Sequence, residues 1–492
     1  MTTQGGRRSS LEKYGMLLMG VFLIILAGGR FVTPAAAFLA PVFLLMFTRN
    51  TGVRHAALVL YVLLFLSLLV RLHDYIPVQK PTFLLIVAGF AVIETLPFLV
   101  DRKLFQKLPT AVVPLILPLM VVSLGYLIPF ALPFGVISGA AYTQSGNLEL
   151  MQLSSVTGIH GITFVIFWFA STMASLWDSG FAVRRCRKQF IPMAVVLMVV
   201  FVTGGFRVVF DDNEAMKVRV AGIAGNRTAL QQALRQNKSD AENETTDSDK
   251  LHAAIDAYQS EMLSLSDKEA AAGARIIAWT EGGTLVLQAD TENFTERLQA
   301  LAGRHNIYLV TDITVVQSAG EPVHRYLVFG PDGQVLTDHL RVGSSMVLSG
   351  WKNTRTLPVI DTEYGTILFA SGLDLHSARA INQAGEIDIV IAPAVDWRTS
   401  APHLSHMAAF RGVENGASIL RVPGDGLLLV SDTHGRVLAR SDHKSGTHQT
   451  VVASVGIEGV STVYAKAGDW FAWLSVLLAG TLLFKGLRRQ PE

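Results

Sequence analysis

Long apolar runs govern what this chain can fold into. A stretch of roughly 18 or more mostly apolar residues is long enough to cross a bilayer as a helix. Seven such runs precede Asp211, near 14–30, 34–48, 55–72, 82–100, 110–131, 161–178 and 190–209, and an eighth lies near 469–485. The second is short and opens at Pro34. With 50% hydrophobic and 16% charged residues among 492, the chain is too apolar for one soluble domain, and the apolar residues are unevenly spread. The expected organisation is a membrane domain over 1–209, an extracytoplasmic domain over 210–468, and a last span with a cytoplasmic tail over 469–492.

Lysine and arginine set the expected orientation, because cytoplasmic loops retain them. The clusters fall on alternate loops: Arg7, Arg8 and Lys13; Arg49 and Arg54; Arg102, Lys103 and Lys107; Arg184, Arg185, Arg187 and Lys188; and Lys485, Arg488 and Arg489. This places both termini in the cytoplasm and 210–468 on the far side. The net charge of +2 has no basic stripe behind it, so nucleic acid is not an expected partner. The one cysteine, Cys186, precludes an internal disulfide and reads as a free thiol in a basic cytoplasmic loop. The first apolar run lacks an A-x-A-like cleavage site after it and is expected to be a retained span.

Within 210–468 the pattern alternates between periods of two and of 3.6 residues. Strands are expected at 218–223, 274–279, 307–310, 366–369, 387–392, 418–421 and 426–430, helices at 251–272, 291–302, 377–383 and 403–415, and a hairpin over 326–336 turning at Pro331-Asp-Gly333. Residues 231–250 have almost nothing to bury and are expected to form a mobile loop. Such alternation predicts an α/β layered domain whose sheets are covered by helices.

Several short motifs then fall in a specific order. Trp279-Thr-Glu281 ends a buried strand, Arg411-Gly-Val-Glu414-Asn415-Gly416 ends a helix, and the hairpin Asp432-Thr-His-Gly-Arg-Val437 follows. Gln152, Gly158 and Gly161 lead into the sixth run, and Thr462-Val-Tyr464 with Gly468-Asp469-Trp470 leads into the last. In this order and topology the chain resembles the apolipoprotein N-acyltransferases, membrane proteins with an extracytoplasmic nitrilase-fold domain inserted before the last span. The resemblance covers nearly the whole chain. It implies an α/β nitrilase-like αββα sandwich beside a multi-span α-helical domain in a bacterial cytoplasmic (inner) membrane. It also implies a domain mouth close to the membrane, a phospholipid or acyl chain and a lipoprotein as partners, and no cofactor.

The chemistry that the resemblance implies needs a cysteine thiolate to attack an acyl carbonyl, a glutamate to move the proton and a lysine to stabilise the oxyanion. Glu281 matches the glutamate. Counting from Gly333 as the family's pattern runs, Arg341 of His339-Leu-Arg341 falls where the lysine is expected; its planar fork differs from a compact ammonium. Counting from Gly365 places Phe369 at the nucleophile, and phenylalanine cannot attack a carbonyl. Ser371, two residues on, is on the same face if the strand continues, and an active serine there needs a base and oxyanion donors around it. The loop Val342-Gly-Ser-Ser-Met346 also lacks the second glutamate of the family's pattern.

Other residues carry plainer readings. Glu281 also reads as a buried anchor for Gly282-Gly283, and Glu414 as a structural link at its helix end. Asp374, His376, His403 and His406 supply ligand types in no defensible zinc spacing, so no metal is expected. Glu94 lies within the fourth run, where its neighbours Thr95 and Pro97 suggest the membrane boundary. Two functional readings follow: a catalytically degenerate member that binds or scaffolds lipid or lipoprotein, and an active acyltransferase with a displaced nucleophile at Ser371. No broken pair of spans points to a transporter.

Overall fold

The structure is a computed structural model, and it describes residues 9–29, 31–74, 78–131, 139–210, 216–242, 248–317, 322–342, 357–372, 374–396, 401–442 and 446–488. Two compact units emerge, Met1–Asp212 with Thr462–Glu492, and Asn213–Ser461.

The first unit is helical. Its elements are α1 (Ser10–Ala27), α2 (Pro34–Arg49), α3 (Val53–Leu72), α4 (Lys80–Leu104), α5 (Ile116–Ala131), the short α6 (Leu148–Met151) and α7 (Ser154–Thr157), α8 (Ile159–Asp178) and α9 (Val183–Phe210). Among the described residues seven helices are long and apolar enough to cross a membrane: α1, α3, α4, Val113–Phe130 around α5, α8, α9, and a C-terminal helix at Trp470–Arg488. The helix α2 is shorter, at 16 residues, or about 24 Å at 1.5 Å per residue. Ser9 starts α1 with a capping box: its hydroxyl accepts from the Glu12 N–H while the Glu12 carboxylate accepts from the Ser9 N–H.

Arg49 and Cys186 sit differently from what the sequence suggests, and Glu94, partly exposed as expected, has a partner the sequence does not show. Arg49 is buried, and its guanidinium grips Asp101 of α4 in a fork of 2.7 and 2.9 Å while donating to the Ser171 and Ser175 hydroxyls of α8 at 3.2 Å. A charge removed from water needs such a partner and further hydrogen bonds. Glu94 is partly exposed and also accepts from the Arg71 guanidinium of α3 at 3.0 and 3.1 Å. Cys186 is not in a loop; it is buried in the first turn of α9, its thiol 3.7 Å from the Ser175 carbonyl.

The second unit is α/β. Its chain order is β1 (Lys217–Ala224), α10 (Thr228–Glu242), α11 (Ser248–Ala271), β2 (Ile276–Trp279), β3 (Thr284–Leu287), α12 (Thr291–His305), β4 (Tyr308–Val316), β5 (Val323–Phe329) and β6 (Val335–Val342). There follow β7 (Val359–Thr362), β8 (Gly365–Phe369), α13 (Ala378–Asn382), β9 (Ile389–Val395), α14 (Ala401–Asn415), β10 (Ser418–Gly424), β11 (Leu427–Ser431), β12 (Val437–Asp442) and β13 (Gln449–Gly456). The chain then passes through α15 (Val463–Ala467) into α16 (Trp470–Arg488), which are grouped with the helical unit.

The strands form two sheets. One runs β13-β1-β2-β4-β5-β6 with β3 added on β4, and the other runs β12-β11-β10-β9-β8-β7. Parallel pairing joins β1-β2-β4 in the first sheet, with β3 also parallel on β4, and β8-β9-β10 in the second, and antiparallel strands flank these runs. Strand alternation sends one face of each sheet inward. Val218, Val220, Ile276, Ala278 and Val310 of the first meet Ile367, Phe369, Ile389, Ile391, Leu420 and Val422 of the second. The outer face of the first sheet packs under α10 to α12 through Leu230, Ile255, Met262, Phe294 and Leu298. That of the second packs under α13 and α14 through Ile381 and Ala408. The unit is therefore an αββα sandwich, and its parallel strands read as nearly unbroken apolar runs because both faces are buried. Gly222 marks a close approach of the sheets, since a Cβ there would lie 2.7 Å from Val422 Cγ2.

The expectation of a loop over 231–250 is overturned for its first half. Residues up to Glu242 continue α10, which buries Leu230 and Ala233 on the core and leaves Leu234, Arg235 and Gln236 exposed; 248–250 open α11, and 243–247 lie outside the described residues. The strands β3, β7 and β13 were not expected, and β4 runs on to Val316 rather than stopping at 310.

Candidate functional site

The carboxyl ends of the parallel strands in both sheets point the same chemistry-bearing turns at one region. At the end of β2, Trp279 is wholly buried and its indole N–H donates to the Ser266 hydroxyl of α11 at 2.8 Å, which fixes the strand end. The chain then turns sharply through Gly282, whose φ of 56° suits glycine. A Cβ at Gly283 would meet Thr280 Oγ1 at 2.3 Å. That turn leaves Glu281 3% exposed, and its Oε2 accepts the Gly372 N–H at 3.3 Å. The glutamate of one sheet thus reaches the turn that follows β8 of the other.

That turn begins where β8 ends, at Phe369. The Phe369 ring is 1% exposed and belongs to the core between the sheets, not to an opening. Ser371 does not continue the strand. Its N–H and its hydroxyl both donate to Asp374 Oδ2, each at 2.8 Å, and the Asp374 N–H returns to the Ser371 carbonyl at 3.0 Å. This is a local side-chain cap that closes a tight turn. Gly372 has no room for a side chain, because a Cβ would stand 2.5 Å from the Ala394 Cβ.

The helix-end motif holds the turn from below. Arg411 is buried, donates from Nε to the Leu375 carbonyl at 2.9 Å and is ion-paired with Glu414, itself fully buried. Asn415 ties the same helix end by donating to the Arg411 carbonyl at 2.9 Å, and Gly416 takes the left-handed conformation that ends α14. A second buried pair, Arg421 to Asp396 at 2.6 and 2.7 Å, with the Ser405 hydroxyl 2.8 Å from the guanidinium, locks β9 and β10 to α14. Sequence reasoning singled out neither Asp396 nor Arg421; the signal lies only in their pairing across 25 residues.

Glu281, Ser371 and Asp374 are thus brought to one region, and Phe369 is turned into the core beside it. Arg341 lies on β6 with its backbone opposite His324, and its side chain is outside the described residues, as are the loop at 343–346 and the His376 side chain. His403 is buried on α14, and burial first, then Arg440, holds the His406 imidazole below its ordinary range. Among the described residues no group of three or more His, Cys, Asp or Glu is arranged to hold a metal.

No protein-family profile matches the chain. The apolipoprotein N-acyltransferase of Geobacter metallireducens is similar to it, with 24% identity over 407 residues, 76% of this chain and 74% of that protein. The relationship is distant and spans both units. Solved structures similar to the chain include an amidase of the nitrilase superfamily from Nesterenkonia, 14% identical, covering 51% of this chain and 94% of that one with a TM-score of 0.36. A carbon-nitrogen hydrolase from Helicobacter pylori is 11% identical, covering 49% and 90%, also at 0.36.

Proposed function

We propose that this is an integral membrane protein whose αββα unit lies on the extracytoplasmic side of a bacterial cytoplasmic membrane and binds lipid or lipid-anchored polypeptide without acyl transfer. The carrying observation is Phe369: the residue at the expected nucleophile position is a phenyl ring sealed in the core between the sheets. The one cysteine, Cys186, is a buried helical residue of the other unit. The alternating Lys and Arg clusters support the orientation, though Arg49 counts less toward it because its charge is neutralised by Asp101. The distant N-acyltransferase relative supports a lipid or lipoprotein as the ligand class.

One observation favours a second reading. The Ser371 hydroxyl rests 2.8 Å from a carboxylate, and the neighbouring Gly372 N–H touches Glu281. A serine so placed has a general base within reach. In that reading Ser371 Oγ attacks a phospholipid acyl carbonyl, its proton passes to the Asp374 carboxylate and on to the alkoxide of the departing lysophospholipid; an amine then attacks the acyl-serine ester, forming the amide as Ser371 Oγ leaves and takes up the amine's proton.

Mass spectrometry of a diacylated lipopeptide, incubated with the purified protein and phospholipid beside Ser371→Ala and Glu281→Gln variants, separates the two. Lipopeptide binding with no mass gain is expected. Acyl transfer abolished by both substitutions would establish the serine enzyme instead.

A further inference from the structure

Arg227 follows β1 directly, at the same carboxyl-terminal edge of the first sheet from which Glu281 emerges after β2. Its Nη2 donates to the Gly282 carbonyl at 3.2 Å, one residue beyond Glu281. A Cβ at Gly424, the last residue of β10 in the facing sheet, would stand 3.4 Å from Nη1. The guanidinium therefore sits between the two sheets' strand ends, one strand over from the Glu281–Gly372 contact.

Among the described residues the guanidinium has no counter-charge. Of its five N–H donors, the described residues satisfy one, and Nε is buried without a hydrogen-bond partner among them. No described carboxylate lies within 4.0 Å of it. Glu281 and Glu261, acidic residues of the neighbouring turns, are engaged elsewhere: Glu281 accepts from Gly372, and Glu261 accepts from the Asn226 N–H at 3.1 Å with His448 at 3.4 Å. The two fully buried arginines of this sandwich behave differently, since Arg411 and Arg421 each hold a buried carboxylate. A half-buried guanidinium left without an anion is costly unless a ligand completes it.

We propose that Arg227 is the anion-recognition residue of this site, taking a phosphate group that a phospholipid headgroup or free phosphate supplies. The inference rests on the lipid-binding reading, which provides a phosphate-bearing ligand. The fork of Arg227 suits two phosphate oxygens at once. Gly424, lacking a side chain, leaves space at Nη1.

The test is isothermal titration of the full-length protein in a neutral maltoside with dihexanoylphosphatidylglycerol, dihexanoylglycerol and inorganic phosphate. Wild type, Arg227→Gln and Arg227→Lys are compared, with thermal unfolding of each as a folding check. Arg227→Gln is expected to weaken the phospholipid by about tenfold or more, as loss of a charge-assisted hydrogen bond does, and to leave dihexanoylglycerol unchanged. Arg227→Lys, which keeps the charge but not the fork, is expected to recover only part of the loss. The same dependence with inorganic phosphate would name free phosphate as sufficient; dependence with the phospholipid alone would name the headgroup. Phospholipid affinity unchanged in a folded Arg227→Gln protein, with dihexanoylglycerol still bound, overturns the inference and leaves lipid binding standing. Binding of none of the three probes by wild type overturns both.

Discussion

On the second sheet, the turn after β8 and the clasp beneath it invite comparison. The clasp keeps every part of its machinery: Arg411 is buried, paired with Glu414 and bound to the Leu375 carbonyl, and Asn415 seals the helix end. The turn it supports keeps its glycine and its aspartate cap, yet the side chain at the strand end is a phenyl ring packed between the sheets. The framework residues contribute to folding whatever the site does, so losing them costs stability outright, whereas a nucleophile contributes only to reaction.

The comparison can be tested by substitutions in order of expected size. Arg411→Ala should be the most damaging, because it strands the buried Glu414 carboxylate and frees the Leu375 carbonyl, at a cost of about 3–5 kcal/mol. Thermal unfolding of the αββα unit reports it, and replacing Arg411 and Glu414 together with leucine should cost less than the single change.

Phe369→Ala should follow closely, opening a cavity between the sheets and costing about 3–5 kcal/mol. Phe369→Cys bears more directly on function. A thiol in that apolar core is held protonated and out of reach, so intact-mass measurement with phospholipid should show no acyl adduct. An adduct would mean that the site had lost nothing but its nucleophile.

Ser371→Ala removes one hydrogen bond to Asp374 and should cost about 1–2 kcal/mol in the same unfolding assay. Lipopeptide binding should be unaffected.

The smallest effect is a pH dependence from His406, whose folded-state value lies below the ordinary one because of burial and Arg440. As pH falls below about 6.5 the unfolded chain takes up the proton first. This contribution is therefore complete above that pH and lost as pH falls toward the folded-state value. His406→Gln should flatten the decline in unfolding temperature between about pH 7 and pH 5.

Much of the architecture is legible in the chain because its cause is local. Apolar runs long enough for a bilayer became helices, and buried alternation became the parallel strands β1, β2, β8 and β9. Elements whose signal is weak locally were not legible. Strand β13 takes its place only by pairing with β1, from Lys217 with Gly456 to Ala224 with Gln449. Helix α10 needs only a narrow apolar stripe, so its polar composition resembled a loop. Arg49 read as a loop charge because its partners Asp101, Ser171 and Ser175 are 52 or more residues away.

By itself the sequence determined an α/β layered domain, the run of apolar helices, and, once the family resemblance was drawn, the absence of a cysteine at the position it calls for; the αββα sandwich was implied by that resemblance. Only the tertiary structure decided that Phe369 faces the core, that Ser371 is tied to Asp374, and that Arg227 stands between the two sheets' strand ends with no carboxylate partner among the described residues. The reason is physical: a residue's type and spacing fix what it can form, while burial, pairing and reach depend on neighbours that only the packed chain brings within a few ångströms.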